Sequence, residues 1–129
     1  MPDEYRWIAS AKGEVIRDGA VLLLENDRGD WELPGGRLDP DDESVEAAVA
    51  REILEETGLV AAIGTVCHTE IFRQIGDGTQ VLIVAYAASV DSVEVQISDE
   101  HVGAAWVGLD VLDEIDLPDV YRRAIAAFG

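Results

Sequence analysis

The chain has 129 residues, 48% of them hydrophobic, with 27 acids against 9 basic side chains and a formal net charge of -18. That length fits one domain, residues 1–129, with a core of its own, and that apolar content excludes a disordered tail. The charge disfavours nucleic-acid backbones and anionic membranes as partners. No apolar run reaches the roughly 20 residues of a membrane span. The N-terminus lacks the basic-then-apolar layout of a signal peptide. The single cysteine, Cys67, excludes an internal disulfide and fits a reducing cytoplasm.

The first third reads as strands. Gly13–Arg17 and Ala20–Glu25 flank Asp18-Gly19, a hairpin-turn dipeptide. Trp31–Leu33 is a short strand. Pro34-Gly35-Gly36 is expected to stop regular pairing, and residues 37–43 to form an acidic loop. Ser44–Thr57 is the clearest helix, capped by Ser44 and terminated by Gly58. Leu59–Thr65, Thr69–Gln74 and Gln80–Ala88 follow as strands, with the turn between the last two at Gly76-Asp77-Gly78. Val93–Ile97 and Ala104–Val107 are further strands, and Val111–Ile115 a short helix. A helix over Asp119–Phe128 closes the chain, with Val120, Ile125 and Phe128 facing inward. The pattern predicts an α+β fold, a mixed β-sheet with helices packed on its faces.

The central helix breaks its own pattern. With Val45 at zero and about 100° per residue, Val49 falls near +40° and Ile53 near +80°. Glu52 falls near -20° and Glu56 near +20°, on the line of that apolar stripe, with Glu55 beside them near -80°. Burying unpaired carboxylates is costly, so a cation should meet them. Clustered carboxylates are hard oxygen ligands suited to Mg²⁺ or Mn²⁺. Arg51 can pair with one of them and fix its rotamer.

The segment from Gly36 through Glu43 and Arg51-Glu52-Ile53-Leu54-Glu55-Glu56-Thr57-Gly58-Leu59 resembles the Nudix box, G-x5-E-x7-R-E-U-x-E-E-x-G-U. The match from Glu43 to Leu59 is complete. Gly36 and Glu43 are separated by six residues instead of five. The resemblance implies the Nudix-type α/β/α sandwich, with the Nudix helix and a C-terminal helix. It implies a pyrophosphohydrolase cleaving a nucleoside diphosphate linked to another group. It implies Glu52, Glu55 and Glu56 as metal-site carboxylates, Glu43 as their support, and Arg51 as the residue orienting a glutamate. The backbone of Gly36, or Gly35 or Arg37 in its place, is implied as a further metal contact. Glu100, six residues before Trp106, is implied as an additional metal-site or catalytic acid, and Glu52 or Glu100 as the base.

No proline stands near Gln74, where ADP-ribose hydrolases of this family carry one. No tyrosine stands at Ile75, Gly76 or Asp77, where dinucleoside polyphosphate hydrolases carry theirs. That leaves a (deoxy)nucleoside triphosphate or nucleotide sugar as substrate. The resemblance also implies a homodimer. The competing readings are a Nudix-like module that senses a nucleotide without cleaving it, and a passive acidic Ca²⁺ binder. The intact Arg51–Glu56 set argues against the first. The second lacks the alternating acids around a central glycine that a calcium loop needs.

Overall fold

The computed structural model describes residues 6–73 and 79–128. Strand β1 (Trp7–Arg17) turns through Asp18 and Gly19, both at positive φ, into β2 (Ala20–Glu25). The hairpin is the expected one, but β1 begins at Trp7 rather than Gly13. All but its last two residues pair in parallel with β6 (Gln80–Val90), from Trp7 opposite Gln80 to Val15 opposite Ala88. Strand β3 (Trp31–Glu32) pairs with β2.

Pro34-Gly35-Gly36 does not end the pairing. Gly35–Arg37 forms β4, antiparallel to β1 with Lys12 opposite Gly35 and Ser10 opposite Arg37. Gly35 is what permits it. Its φ is 142°, and a Cβ there would lie 2.1 Å from the Ala11 carbonyl oxygen. Glycine thus allows a close backbone approach here instead of breaking a strand.

Helix α1 (Val45–Thr57) starts where Ser44 Oγ accepts the Ala47 N–H at 3.0 Å, a cap that contributes about 1 kcal/mol. It ends at Gly58 in the left-handed conformation, whose N–H donates to the Leu54 carbonyl. The two strands expected after it are one, β5 (Ala61–Arg73), irregular between Ile63 and His68. The turn at Gly76-Asp77-Gly78 lies outside the described residues, as does Gln74.

Val93–Ile97 is not a strand. Gln96 N–H donates to the Thr57 carbonyl and Ser98 N–H to that of Glu56. The segment thus gives backbone donors to the end of α1 rather than to a sheet, which satisfies carbonyls a helix end leaves open. Strand β7 (Gly103–Gly108) pairs with β2, a 3-10 turn covers Leu109–Glu114, and α2 (Asp119–Ala126) follows.

The sheet runs β3-β2-β1-β6-β5, with β4 beside β1 and β7 beside β2. It is mixed, because β1 and β6 are parallel and the other pairs antiparallel. One core lies between the sheet and α1, around Ala11, Val15, Leu22, Val49 and Ile53. The second lies between the sheet and α2, around Val21, Leu23, Ala85, Ala124 and Ile125. Of the inward candidates on α2, Val120 and Ile125 are buried, and Phe128 beyond its end is half-buried. The α/β/α sandwich is the one expected. No helix among the described residues is long and apolar enough to cross a membrane.

Candidate active site

Helix α1 seats its apolar stripe on a gap in the sheet. Gly13 of β1 has no side chain, and a Cβ there would meet Ile53 Cδ1 at 2.7 Å. Val49 and Ile53 are fully buried, each contributing about 1.5–3 kcal/mol. This close docking carries the glutamates of the next turn down onto β4. Glu56 is 4% exposed, Glu52 is half-buried, and Glu55 points outward.

Glu56 Oε1 accepts the Gly35 N–H at 2.8 Å. Burial pushes its carboxyl up to about 8, opposed by that hydrogen bond and the nearby Lys12 charge, and reinforced by Glu52 and Glu32. Glu52 lies against Gly36, where a Cβ would sit 3.0 Å from Glu52 Oε1. Its carboxyl is also raised, first by burial, with Arg51 opposing and Glu55 and Glu100 adding repulsion. Glu100 is exposed on the loop before β7, close enough for its charge to reach Glu52.

Arg51 gathers the acids around it. Its Nε lies 3.0 Å from Asp42 Oδ1 and its Nη2 3.0 Å from Asp42 Oδ2, a bidentate pair. Its Nη1 reaches Glu52 Oε1 at 3.2 Å and Glu55 Oε2 at 3.3 Å. Asp42, 11% exposed, is held below the usual carboxylate range by the Arg51 hydrogen bonds. Glu43, expected in that supporting place, is exposed to solvent. The signal was in the spacing. Leaving five residues between gives Asp42 when counted from Gly36, whereas leaving seven when counted back from Arg51 gives Glu43. The longer loop lets the first count decide which acid meets the arginine.

Beside this group lies a cleft of about 330 Å³ on the α2 face, lined by Ser10, Lys12, Arg28, Glu32, Arg37, Phe72 and Tyr121 among others. Three of the nine basic side chains of a very acidic chain converge on it. Lys12 is 5% exposed. It donates to the Leu33 carbonyl at 3.3 Å, stands 3.7 Å from Glu32 Oε2, and lies 5.6 Å from the Tyr121 ring centre. Strand β4 is the partition: Gly35 and Gly36 touch Glu56 and Glu52, and the next residue, Arg37, lines the cleft. Sequence reasoning missed Lys12 and Glu32, because an isolated charge on a strand carries no motif. A larger hollow of about 420 Å³ just past the C-terminal end of α1, around Thr57, Asp91 and Gln96, has no cation among its described lining residues. It offers nothing to a phosphate.

Among the described residues, no three His, Cys, Asp or Glu side chains close into an ion-binding cluster. Glu55 is turned to Arg51, and Glu56 to Gly35. The donors nevertheless fit a hard divalent cation. They are carboxylate oxygens whose burial and mutual repulsion raise Glu52 and Glu56, and an added cation would relieve both. Glu52, Glu56 and the Gly36 backbone are together. Glu55 stays beside them on Arg51, and Glu100 is exposed on the neighbouring loop.

The NUDIX domain family matches residues 10–128. The chain belongs to the Nudix hydrolase family. A MutT-like protein of Streptomyces ambofaciens is 36% identical over 107 residues, covering 81% of this chain and 66% of that protein. Nucleoside triphosphatase NudI of Escherichia coli is 32% identical over 130 residues, covering 89% and 92%. The crystal structure of a MutT protein from Methanosarcina mazei superposes with a TM-score of 0.85 at 28% identity, over 97% of this chain and 94% of that one. The Nudix box of this chain is the stretch from Gly36 to Leu59, and α1 is its helix.

Proposed function

We propose that this Nudix chain is a Mg²⁺-dependent pyrophosphohydrolase, accepting Mn²⁺ in its place, that cleaves the phosphoanhydride of a (deoxy)nucleoside triphosphate or nucleotide sugar. The observation that carries the reading is the pairing of two raised carboxylates, Glu52 and Glu56, with a cationic cleft on the other side of β4. A net charge of -18 repels a polyphosphate, so a substrate of this kind needs both features. A bound divalent cation supplies charge neutralisation and an acidified water.

The residues do the rest. Glu52, Glu55, Glu56 and Glu100, with the Gly36 backbone, would hold the ion. Arg51 fixes Glu52 and Glu55 while Asp42 fixes Arg51. Lys12 and Arg37 attract the phosphates, and Phe72 and Tyr121 offer ring faces to a base. Glu52 or Glu100 takes the proton of the attacking water, a reading supported by the Glu100 charge acting on Glu52. Positioning and charge neutralisation supply most of the rate. As the outer strand of the sheet among the described residues, β5 exposes Val66 and Ile71, an edge on which a second copy can pair. The lone cysteine supports a cytoplasmic setting.

The test is release of phosphate or pyrophosphate from nucleoside triphosphates, nucleotide sugars and dinucleotides, with Mg²⁺, with Mn²⁺ and with chelator. Turnover that persists in chelator, or no turnover of any nucleotide with either metal, overturns the reading.

A further inference from the structure

Two buried polar groups outside the carboxylate set share one partner. His101 follows Glu100 and is 7% exposed. Its Nε2 lies 3.5 Å from Glu32 Oε2. Its Nδ1 is buried with no hydrogen-bond partner among the described residues. A ring that only filled space would not need to be an imidazole, because burying an unsatisfied nitrogen is costly. Its polar contact with Glu32 is therefore informative.

Glu32 is held from the other side as well. Its Oε1 accepts the Asn26 Nδ2–H at 3.0 Å, and Lys12 Nζ stands 3.7 Å from Oε2. Glu32 lines the cationic cleft. The loop carrying Glu100 is otherwise pinned through backbone N–H groups, one of which, that of Glu100, donates to Ser98 Oγ at 3.4 Å. Ser98 N–H donates to the Glu56 carbonyl at 3.3 Å, His101 N–H to that of Ser98 at 3.2 Å, and Val102 N–H to that of Glu25 at 2.9 Å. The His101 ring is thus the buried side chain that ties this loop inward to Glu32.

We propose that His101 is a positioning residue. Through Glu32 it fixes the loop that places Glu100 near Glu52, and it ties that loop to the wall of the nucleotide cleft. A ligand that draws on Lys12 or Glu32 then acts on the same anchor that sets Glu100. The inference rests on the reading of Glu100 as a site carboxylate.

The test compares His101→Phe, His101→Gln, Glu32→Ala and the His101→Phe/Glu32→Ala pair in the full chain. The first readout is amide hydrogen exchange without metal or nucleotide. In His101→Phe the amides of His101 and Val102 should exchange about tenfold faster, the effect of losing one buried polar partner. The Gly58 amide at the end of α1 should not change. His101→Gln keeps a donor and should restore most of the protection. The double variant should be no looser than either single one, because both remove the same link. The second readout is turnover with Mg²⁺, where kcat in His101→Phe should fall about tenfold with KM within about twofold.

Unchanged exchange in His101→Phe overturns the proposal, as do additive effects in the double variant or a Gln variant as loose as Phe. Should His101→Phe not fold, Glu32→Ala decides on the same two amides. A wild-type chain that turns over no nucleotide removes the enzymatic reading, while the exchange measurement still decides whether His101 anchors the loop.

Discussion

Glu56 and Glu14 are both buried carboxylates, and they lie on opposite faces of one sheet. Glu56 comes down from α1 onto β4, where the Gly35 N–H meets it and Lys12 is near. Glu14 sits on β1, whose alternation puts it with Lys12 on the α2 side. It is fully buried, and neither of its oxygens has a hydrogen-bond partner among the described residues. Burial pushes its carboxyl up to about 7, with no donor or cation to offset it. The two groups share a burial cost but differ in surroundings. Around Glu56 there are a backbone donor, a lysine and a second carboxylate, which together suit a cation. Around Glu14 the described residues offer no hydrogen-bond partner, and burial alone shifts its carboxyl toward the protonated form. Burial of a carboxylate does not by itself make a site; the groups that meet it do.

The sharpest way to break this comparison is to neutralise each group. Glu56→Gln should cut metal-dependent turnover at least about 100-fold, since removing even an indirect metal partner costs 10–100-fold. Glu14→Gln should leave turnover within about twofold. Near-equal rates for wild type and Glu56→Gln in a phosphate-release assay would erase the distinction.

Stability against pH separates them next. The folded carboxyl of Glu14 titrates near 7 against 4.5 in the unfolded chain. The folded state therefore holds the proton longer, and stability falls as pH rises from about 4.5 to 7 and then levels off. Glu56 adds a slope of the same sign reaching to about 8. Relative to Glu14→Gln, the wild type should lose about 2 kcal/mol across that window in urea unfolding, an order-of-magnitude figure. Parallel curves would show that Glu14 is solvated or paired.

Mg²⁺ should act on one carboxylate and not on the other. At pH 8 and about tenfold above Kd it should stabilise wild type and Glu14→Gln alike by ~1.4 kcal/mol, and Glu56→Gln much less. Thermal melts with and without the metal read this directly. The smallest contrast lies in the loop before α1. Asp42→Asn should lower kcat about tenfold by freeing Arg51, as expected for a partner one step from the metal, whereas Glu43→Gln should stay within about twofold. The reverse result would return the supporting role to Glu43.

Much of this was legible in the residues. Ser44 and Gly58 bounded α1, because a cap hydroxyl and a left-handed glycine are local devices. The 100° wheel put Glu52 and Glu56 on the buried line and Glu55 at its margin, and their exposures follow that order. The Asp18-Gly19 turn was equally local. Other features were not local. Gly35–Arg37 became a strand because β1 lay close enough to use glycine as an approach, and Val93–Ile97 did not because α1 took its donors.

Helical period, capping and the spacing of the box were fixed along the chain itself, since each depends on neighbours within a few residues. That Lys12 and Arg37 reach one cleft, and that His101 and Glu32 stand side by side, were decided only in three dimensions. Those pairings join segments up to some 70 residues apart, and no local spacing records where two strands and a loop will converge.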